Sequence, residues 1–135
     1  MKDYKSYKPS EEFYKTHPSL YLAICWAIRF KELVIDPESD VIRDGKIGPA
    51  YTNYDLQEKR YFADKVLVCS KNAKLVYNNS LEINKARNNE KVNRREFGGK
   101  LTTEQRWAFS YDYFELIDKL CDKLFLIKVD YEKNI

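Results

Sequence analysis

Residues 102–124 read TTEQRWAFSYDYFELIDKLCDKL and carry the most regular pattern in the chain. Apolar side chains recur there at steps of three and four, which predicts an amphipathic helix with one face in a core. These side chains are Trp107, Tyr111, Phe114, Ile117, Cys121 and Leu124. Thr102 and Gln105 fit a capping box, in which each side chain bonds the backbone amide of the other residue, so the helix is predicted to begin here.

The residues that follow this helix alternate instead of stepping by three and four. Phe125, Ile127, Val129 and Tyr131 occupy every second position. A period of two is typical of a strand, because successive side chains of a strand point to opposite faces. The pattern therefore predicts a short strand or an extended tail at the C-terminal end.

Two helices are predicted near the N-terminus. Ser10 precedes two glutamates, so its hydroxyl can cap a short helix whose first turn is acidic. Pro18 suits the first turn of a second helix, where its missing N–H costs nothing. Apolar residues then recur at helical spacing, at Leu20, Ile24, Ile28 and Leu33. This second helix is apolar on nearly every side, which predicts burial in the core or docking against a partner.

Residues 53–77 favour a third helix, with an alternative. Apolar residues lie on one helical side, at Leu56, Val66, Cys69, Ala73 and Val76. The same region can be divided into KVLVC (65–69) and KLVYN (74–78), two β-prone stretches that residues 70–73 would join as a hairpin. Both interpretations stay open from the sequence.

A second hairpin, or an ordered loop, is predicted near residues 40–50. Pro37 and Pro49 exclude a continuous helix through this region. Asp44-Gly45 is a turn dipeptide between short apolar stretches. With a length of 135 residues, the chain is predicted to be mostly α. It would form one domain over residues 10–135, with about four helices, after a flexible arm at residues 1–9.

The sequence offers no catalytic motif. His17 is the single histidine, and Cys25, Cys69 and Cys121 stand far apart, so no pair of residues has metal-ligand spacing. Glycine-rich phosphate loops are missing as well. The prediction is a protein without catalytic residues, metal or cofactor, and therefore not an enzyme.

Cysteine usage and hydropathy indicate a compartment. Isolated cysteines among apolar neighbours are typical of buried, reduced thiols, so a reducing intracellular compartment, most simply the cytoplasm, is expected. The N-terminal residues lack the apolar core of a signal peptide. The longest apolar run, residues 20–28, is too short to span a bilayer, so no membrane span is predicted.

Acidic residues of the last helix form a ridge at steps of three and four. They are Asp112, Glu115, Asp118 and Asp122. A metal-dependent nuclease could use such a cluster, but Lys119 and Lys123 are interleaved with it. The interleaving favours an ordinary solvated face.

The strongest charge asymmetry lies in residues 84–100, NKARNNEKVNRREFGGK, where six basic residues face two glutamates. The net charge of the whole chain is only +3. The segment is predicted to be helical and to stop at Gly98-Gly99. Its basic residues are the candidate partner-binding residues: Lys85, Arg87, Lys91, Arg94, Arg95 and Lys100.

Two functions fit this basic segment. It can dock on an acidic protein, including a second copy of the chain, or it can bind the phosphates of a nucleic acid. No aromatic residue is interleaved with the cluster for base stacking, and the pI of about 8.6 is modest. Protein docking through the basic segment and exposed aromatic residues is therefore the preferred hypothesis, and nucleic-acid binding is the alternative.

Composition adds an association with source and role. Aromatic residues make up 15% of the chain, with eleven tyrosines, and tyrosine is favoured at interfaces. Lysine outnumbers arginine 17 to 7, and asparagine is frequent. Such usage is common in AT-rich genes, including those of many phages. Small proteins of this kind often serve as accessory subunits or as inhibitors that act by occlusion.

Overall fold

The computed structural model describes residues 4–33, 53–74, 80–97 and 103–133. Side chains are described throughout these ranges except at residues 53–56, 80, 90, 93–97 and 103–111. A 3-10 turn, Tyr4–Tyr7, precedes five helices. They are α1 (Glu11–Thr16), α2 (Pro18–Glu32), α3 (Asn53–Asn72), α4 (Ser80–Phe97) and α5 (Thr103–Lys133). The described part of the chain is mostly helical and contains no strand, which confirms the predicted mostly α class.

Local sequence explains how the first helices begin. The Phe13 amide donates to Ser10 Oγ at 3.3 Å, and two glutamates occupy the first turn of α1. Pro18 is the first residue of α2. Both predicted helix starts are therefore confirmed. Ser10 satisfies an amide that the helix itself leaves unbonded, and Pro18 has no amide hydrogen to satisfy.

The helices enclose one hydrophobic core. Helix α2 packs chiefly against α3 and also against α5, while α4 lies on α5. Side chains with no measurable exposure come from all four of these helices: Ala23, Ile24 and Ala27 from α2, Ala63 and Val66 from α3, Ile83 from α4, and Tyr113, Ile117, Cys121 and Leu124 from α5. Among the described side chains of these four helices, those of α4 contribute least to this core, as its thin apolar side predicts.

The strand predicted beyond residue 124 is wrong. Helix α5 continues without a break to Lys133. Leu124, Phe125 and Lys128 are buried and Tyr131 is half-buried, so burial follows steps of three and four. The alternation of apolar residues from Phe125 to Tyr131 is too short to distinguish a strand from a helix. Neither glycine nor proline interrupts the chain from Thr103 onward, so the helix has no reason to stop.

The hairpin alternative for residues 65–78 is also wrong for the residues of that range that the structure describes. Helix α3 runs through Lys65 and ends at Asn72, so the proposed first strand is helical. Lys74 has a φ of 57°, the left-handed conformation that often ends a helix. Residues 75–79 lie outside the described part, as do the predicted hairpin near residues 40–50, the Gly98-Gly99 stop and the Thr102 cap.

The 3-10 turn lies within the segment predicted to be a flexible arm. Tyr7 stacks on Phe125 of α5, with ring centroids 4.3 Å apart and planes 9° from parallel. Tyr4 stacks on the same ring at 6.1 Å. Lys128 Nζ donates to the Ser6 carbonyl at 3.4 Å. These contacts define a docked conformation, while the mobility of residues 1–9 stays a prediction.

In the described ranges, every helix falls short of the length or the apolar content that a transmembrane segment needs.

Candidate docking groove

The structure describes only part of the predicted basic surface on α4. Lys85 and Lys91 are exposed on α4. Arg94 and Arg95 lie on the same helix, but their side chains, and all of Lys100, are outside the described part. Arg87 points elsewhere, because its guanidinium is engaged by another helix.

Arg87 belongs to a polar junction between three helices. Its Nε and Nη2 donate to the two carboxylate oxygens of Asp64 on α3, at 2.9 and 3.1 Å. The Tyr113 hydroxyl of α5 donates to the same carboxylate at 2.7 Å. The guanidinium carbon also lies 5.5 Å from the centre of the Tyr113 ring. Arg87 therefore holds helices together, and a phosphate could recruit it only by breaking the pair with Asp64.

Two carboxylates of the acidic ridge on α5 also form ion pairs with a residue of another helix. Lys31 Nζ of α2 lies 2.6 Å from Asp118 and 2.9 Å from Asp122. Burial lowers the pKa of Lys31, but the two carboxylates more than offset burial and raise it. Asp112 and Glu115 border a shallow cleft of about 350 Å³ together with Lys85 and Lys119. In the described ranges, no three His, Cys, Asp or Glu side chains are placed to hold a metal.

The cysteines and the histidine occupy structural positions. Cys69 and Cys121 are buried, as predicted, and burial raises the pKa of both thiols. Cys25 is half-exposed instead, because it borders the groove described below. His17 lies at the junction of α1 and α2, where its ring is 5.3 Å from the rings of Phe13 and Tyr131. The structure thus gives His17 a packing role.

A groove of about 960 Å³ runs along the outer side of α2. Six residues of α2 line it: Leu22, Cys25, Trp26, Ile28, Arg29 and Glu32. The N-terminal residues Lys5 and Lys8 contribute on one side. Helix α3 contributes Gln57, Glu58, Tyr61 and Phe62 on the other. The groove is thus built from two helices and the segment that precedes them.

Aromatic rings organise the centre of this groove. Trp26 lies edge-on to Tyr61, with centroids 5.7 Å apart, and 5.8 Å from Phe62. The Arg29 guanidinium lies over the Phe62 ring at 5.3 Å. Leu22 is 42% exposed and Tyr61 is 51% exposed. Large apolar side chains therefore remain accessible to solvent in a concave site, which is the usual geometry of a binding pocket.

Charged side chains of both signs line the groove. Burial raises the pKa of the Cys25 thiol, and the hydrogen bond with Tyr21 and the charge of Lys8 oppose this in part. Arg29 follows one turn further along the helix. Glu32 is at the end of α2, and Glu58 is next to Lys59, whose Nζ donates to the Leu33 carbonyl at 2.8 Å. The lining of the groove therefore carries both basic and acidic side chains.

Sequence reasoning did not locate this groove. Its residues come from residues 5–8, α2 and α3, and no pattern within one of these segments shows how the three pack together. The two signals that pointed toward it were the high aromatic content and the nearly all-round apolar character of α2.

Comparison with known proteins adds no function. No protein-family model matches the chain, and no curated protein or solved structure shows detectable similarity to it.

Proposed function

We propose that the protein acts by binding another protein, as an accessory subunit or as an inhibitor that works by occlusion, without catalysis and without a cofactor. The observation that carries the proposal is the groove along α2. It combines the exposed apolar residues Leu22 and Tyr61 with the half-buried Trp26.

The lining of the groove favours a protein partner. A volume of about 960 Å³ accommodates several side chains at once. Aromatic residues and arginine are enriched at the centres of protein interfaces, where they supply much of the binding energy. Trp26, Tyr61 and Arg29 are residues of this kind. An amphipathic helix laid in an apolar groove is a common recognition mode with these features.

The basic segment takes a secondary place in this proposal. Lys85 and Lys91 are exposed and free to steer an acidic partner by long-range attraction, which mainly affects association rates. Arg87 is a poor candidate for the partner surface because Asp64 already binds it.

A matched set of exposed variants tests the proposal. Tagged wild-type protein and the double variant Leu22→Asp/Tyr61→Asp are used to isolate copurifying proteins from the source cells. The control is Leu126→Asp, whose parent residue is 63% exposed on α5. A stable partner that is kept by the wild type and by Leu126→Asp, but lost by the groove variant, supports the proposal. A partner retained equally by all three proteins would rule out the groove as its docking surface.

Nucleic-acid binding through residues 84–100 is the alternative function, favoured by the exposure of Lys85 and Lys91 on one helix. Fluorescence anisotropy with labelled single- and double-stranded DNA and RNA tests it at several salt concentrations. The logarithm of the affinity should fall with the logarithm of salt by about 0.9 for each duplex phosphate contacted. Arg94→Glu/Arg95→Glu should then abolish binding. Absence of binding near physiological salt would remove this alternative.

A further inference from the structure

We infer that the exposed faces of α4 and α5 bind a second copy of this chain, with the basic face of α4 on one copy lying against the acidic face of α5 on the other. The inference goes beyond the proposed function, because it concerns a different surface. Among the described residues, none of α4 or α5 borders the groove along α2. Two stripes of exposed side chains carry the inference, one on each helix.

The α4 stripe lies on the side of the helix opposite its buried residue Ile83. Its members are exposed and recur at steps of three and four: Leu81, Lys85, Asn88 and Val92. Lys91 is exposed beside them. Leu81 is 83% exposed and Val92 is 46% exposed. The α4 stripe therefore presents apolar side chains and lysines together.

The α5 stripe lies on the side of that helix opposite the core. Its members are also exposed and spaced by three and four: Asp112, Glu115, Lys119, Asp122, Leu126, Asp130 and Lys133. Four carboxylates outnumber two lysines, so the α5 stripe is acidic. Leu81 and Leu126 are the two most exposed large apolar side chains in the part of the chain that the structure describes. Each stripe thus combines a prominent leucine with an excess of one charge.

Within one copy the two stripes lie side by side and do not neutralise each other. Lys85 of α4 and Glu115 of α5 border the same shallow cleft of about 350 Å³. Among the described side chains, neither of them, nor Lys91 or Asp130, takes part in an ion pair. Placing the α4 stripe of one copy against the α5 stripe of another brings these opposite charges together.

A second copy supplies both halves of this contact. Because each copy carries both stripes, the contact can form twice between two copies, as in a two-fold dimer. Burial of Leu81 and Leu126 would supply affinity, and the charges would set which helix lies against which. The net charge of the chain is only +3, so general repulsion between copies is weak.

Analytical ultracentrifugation of the full chain from about 1 μM to about 1 mM tests the inference. The wild type should pass from monomer to dimer in this range, and added salt should weaken the dimer because exposed charges are screened. Leu81→Asp places a carboxylate opposite the acidic stripe and should raise Kd about tenfold or more. The matched control is Val68→Asp, at a 51% exposed position of α3, which should leave Kd unchanged. A wild type that stays monomeric throughout, or equal effects of the two substitutions, would overturn the inference.

Reversed charges supply the decisive comparison. Lys85→Glu/Lys91→Glu and Glu115→Lys/Asp130→Lys should each raise Kd about tenfold when studied alone, because like charges then face each other. Mixed in equal amounts, the two variants should form a mixed dimer about as stable as the wild-type dimer, since every contact again joins opposite charges. Circular dichroism checks that both variants are folded. A mixture that associates no better than its components would overturn the inference. A natural partner lost by the groove variant alone would still uphold the proposed function, so the two can fail separately.

Discussion

The carboxylate of Asp64 on α3 and the guanidinium of Arg87 on α4 form a two-pronged ion pair, with N···O distances of 2.9 and 3.1 Å. Helix α4 packs mainly on α5 and places just one side chain, Ile83, in the described core. Polar links to α3 therefore matter for its position. Among the described side chains, the Asp64–Arg87 pair is better formed than the link between Lys71 and Asn84, which is a single bond of 3.4 Å.

Arg87→Ala is expected to reduce the free energy of unfolding by roughly 1–2 kcal/mol, because it removes two charge-assisted hydrogen bonds and leaves Asp64 bonded to Tyr113. Partial exposure of both side chains, 16% and 39%, keeps the loss moderate. Arg87→Lys should recover little, since lysine cannot form the paired geometry. Urea unfolding measures each change. Lys85→Ala, at an exposed neighbour, should change stability by less than about 0.5 kcal/mol. Equal effects of Arg87→Ala and Lys85→Ala would contradict the structural role.

Much of the secondary structure follows from local signals, but this junction does not. The helix starts at Ser10 and Pro18 depend on only a few neighbouring residues. The apolar stripe of α5 is its buried face, so the sequence predicts that face directly. Asp64, in contrast, looks like any polar residue on the wet side of a helix. Its role depends on the relative placement of three helices, which no periodic pattern encodes. Arg87 illustrates the same point, because its charge is visible in the sequence and its pairing with Asp64 is not.

The contact between Tyr7 and Phe125 predicts that the N-terminal residues stabilise the fold. Tyr7→Ala removes an aromatic pair with centroids 4.3 Å apart and should cost roughly 1–3 kcal/mol in the free energy of unfolding. Deleting residues 1–9 should cost at least as much. Tyr14→Ala is the matched control, because Tyr14 is 47% exposed and should matter less. If Tyr7→Ala is no more destabilising than Tyr14→Ala in urea unfolding, the N-terminal residues are the flexible arm that the sequence predicts.

Leu124 and Leu126 test which face of α5 is buried near its C-terminal end. In the continuous helix α5, Leu124 is fully buried and Leu126 is 63% exposed. Leu124→Ala should therefore cost about 2–5 kcal/mol, while Leu126→Ala should cost less than about 0.5 kcal/mol. Similar costs for the two substitutions would contradict the helical register of α5, in which residues two positions apart lie on different faces. Thermal and urea unfolding of the two variants provide the comparison.

Periodicity failed at this end of α5 for a physical reason. The helix is long enough for its buried face to drift, so apolar residues broaden from one stripe into a wider band near Phe125 and Ile127. A short segment of such a band resembles alternation. The absence of a helix-stopping residue was the more reliable signal, because only a cap, a glycine or a proline ends a helix whose packing continues.

Lys59 predicts an unusual dependence of stability on pH. Its ammonium group is buried, lies 4.4 Å from the centre of the Phe30 ring and donates to the Leu33 carbonyl. Burial, the largest effect, lowers the pKa of Lys59 from 10.5 to about 8, although the nearby Asp118 opposes this. Between these pH values the unfolded chain binds more protons than the folded protein. The contribution of Lys59 to stability therefore rises as the pH increases from about 8 to about 10.5.

Replacing Lys59 with methionine isolates this contribution. The lowered pKa corresponds to a penalty of roughly 3 kcal/mol below pH 8, and loss of the ring contact and hydrogen bond offsets part of the gain. Lys59→Met should thus exceed the wild type by about 1–2 kcal/mol at pH 7. The difference should shrink or reverse as the pH approaches 10.5.

Both proteins share the same cysteines, whose raised pKa values make stability fall above pH 9. This effect of the cysteines therefore cancels in the stability difference between the two proteins. Lys119→Met, at an exposed site, should give a difference independent of pH. Urea unfolding across this pH range measures all three proteins, and a constant difference for Lys59→Met would show that the aromatic rings and the carbonyl fully compensate the buried charge.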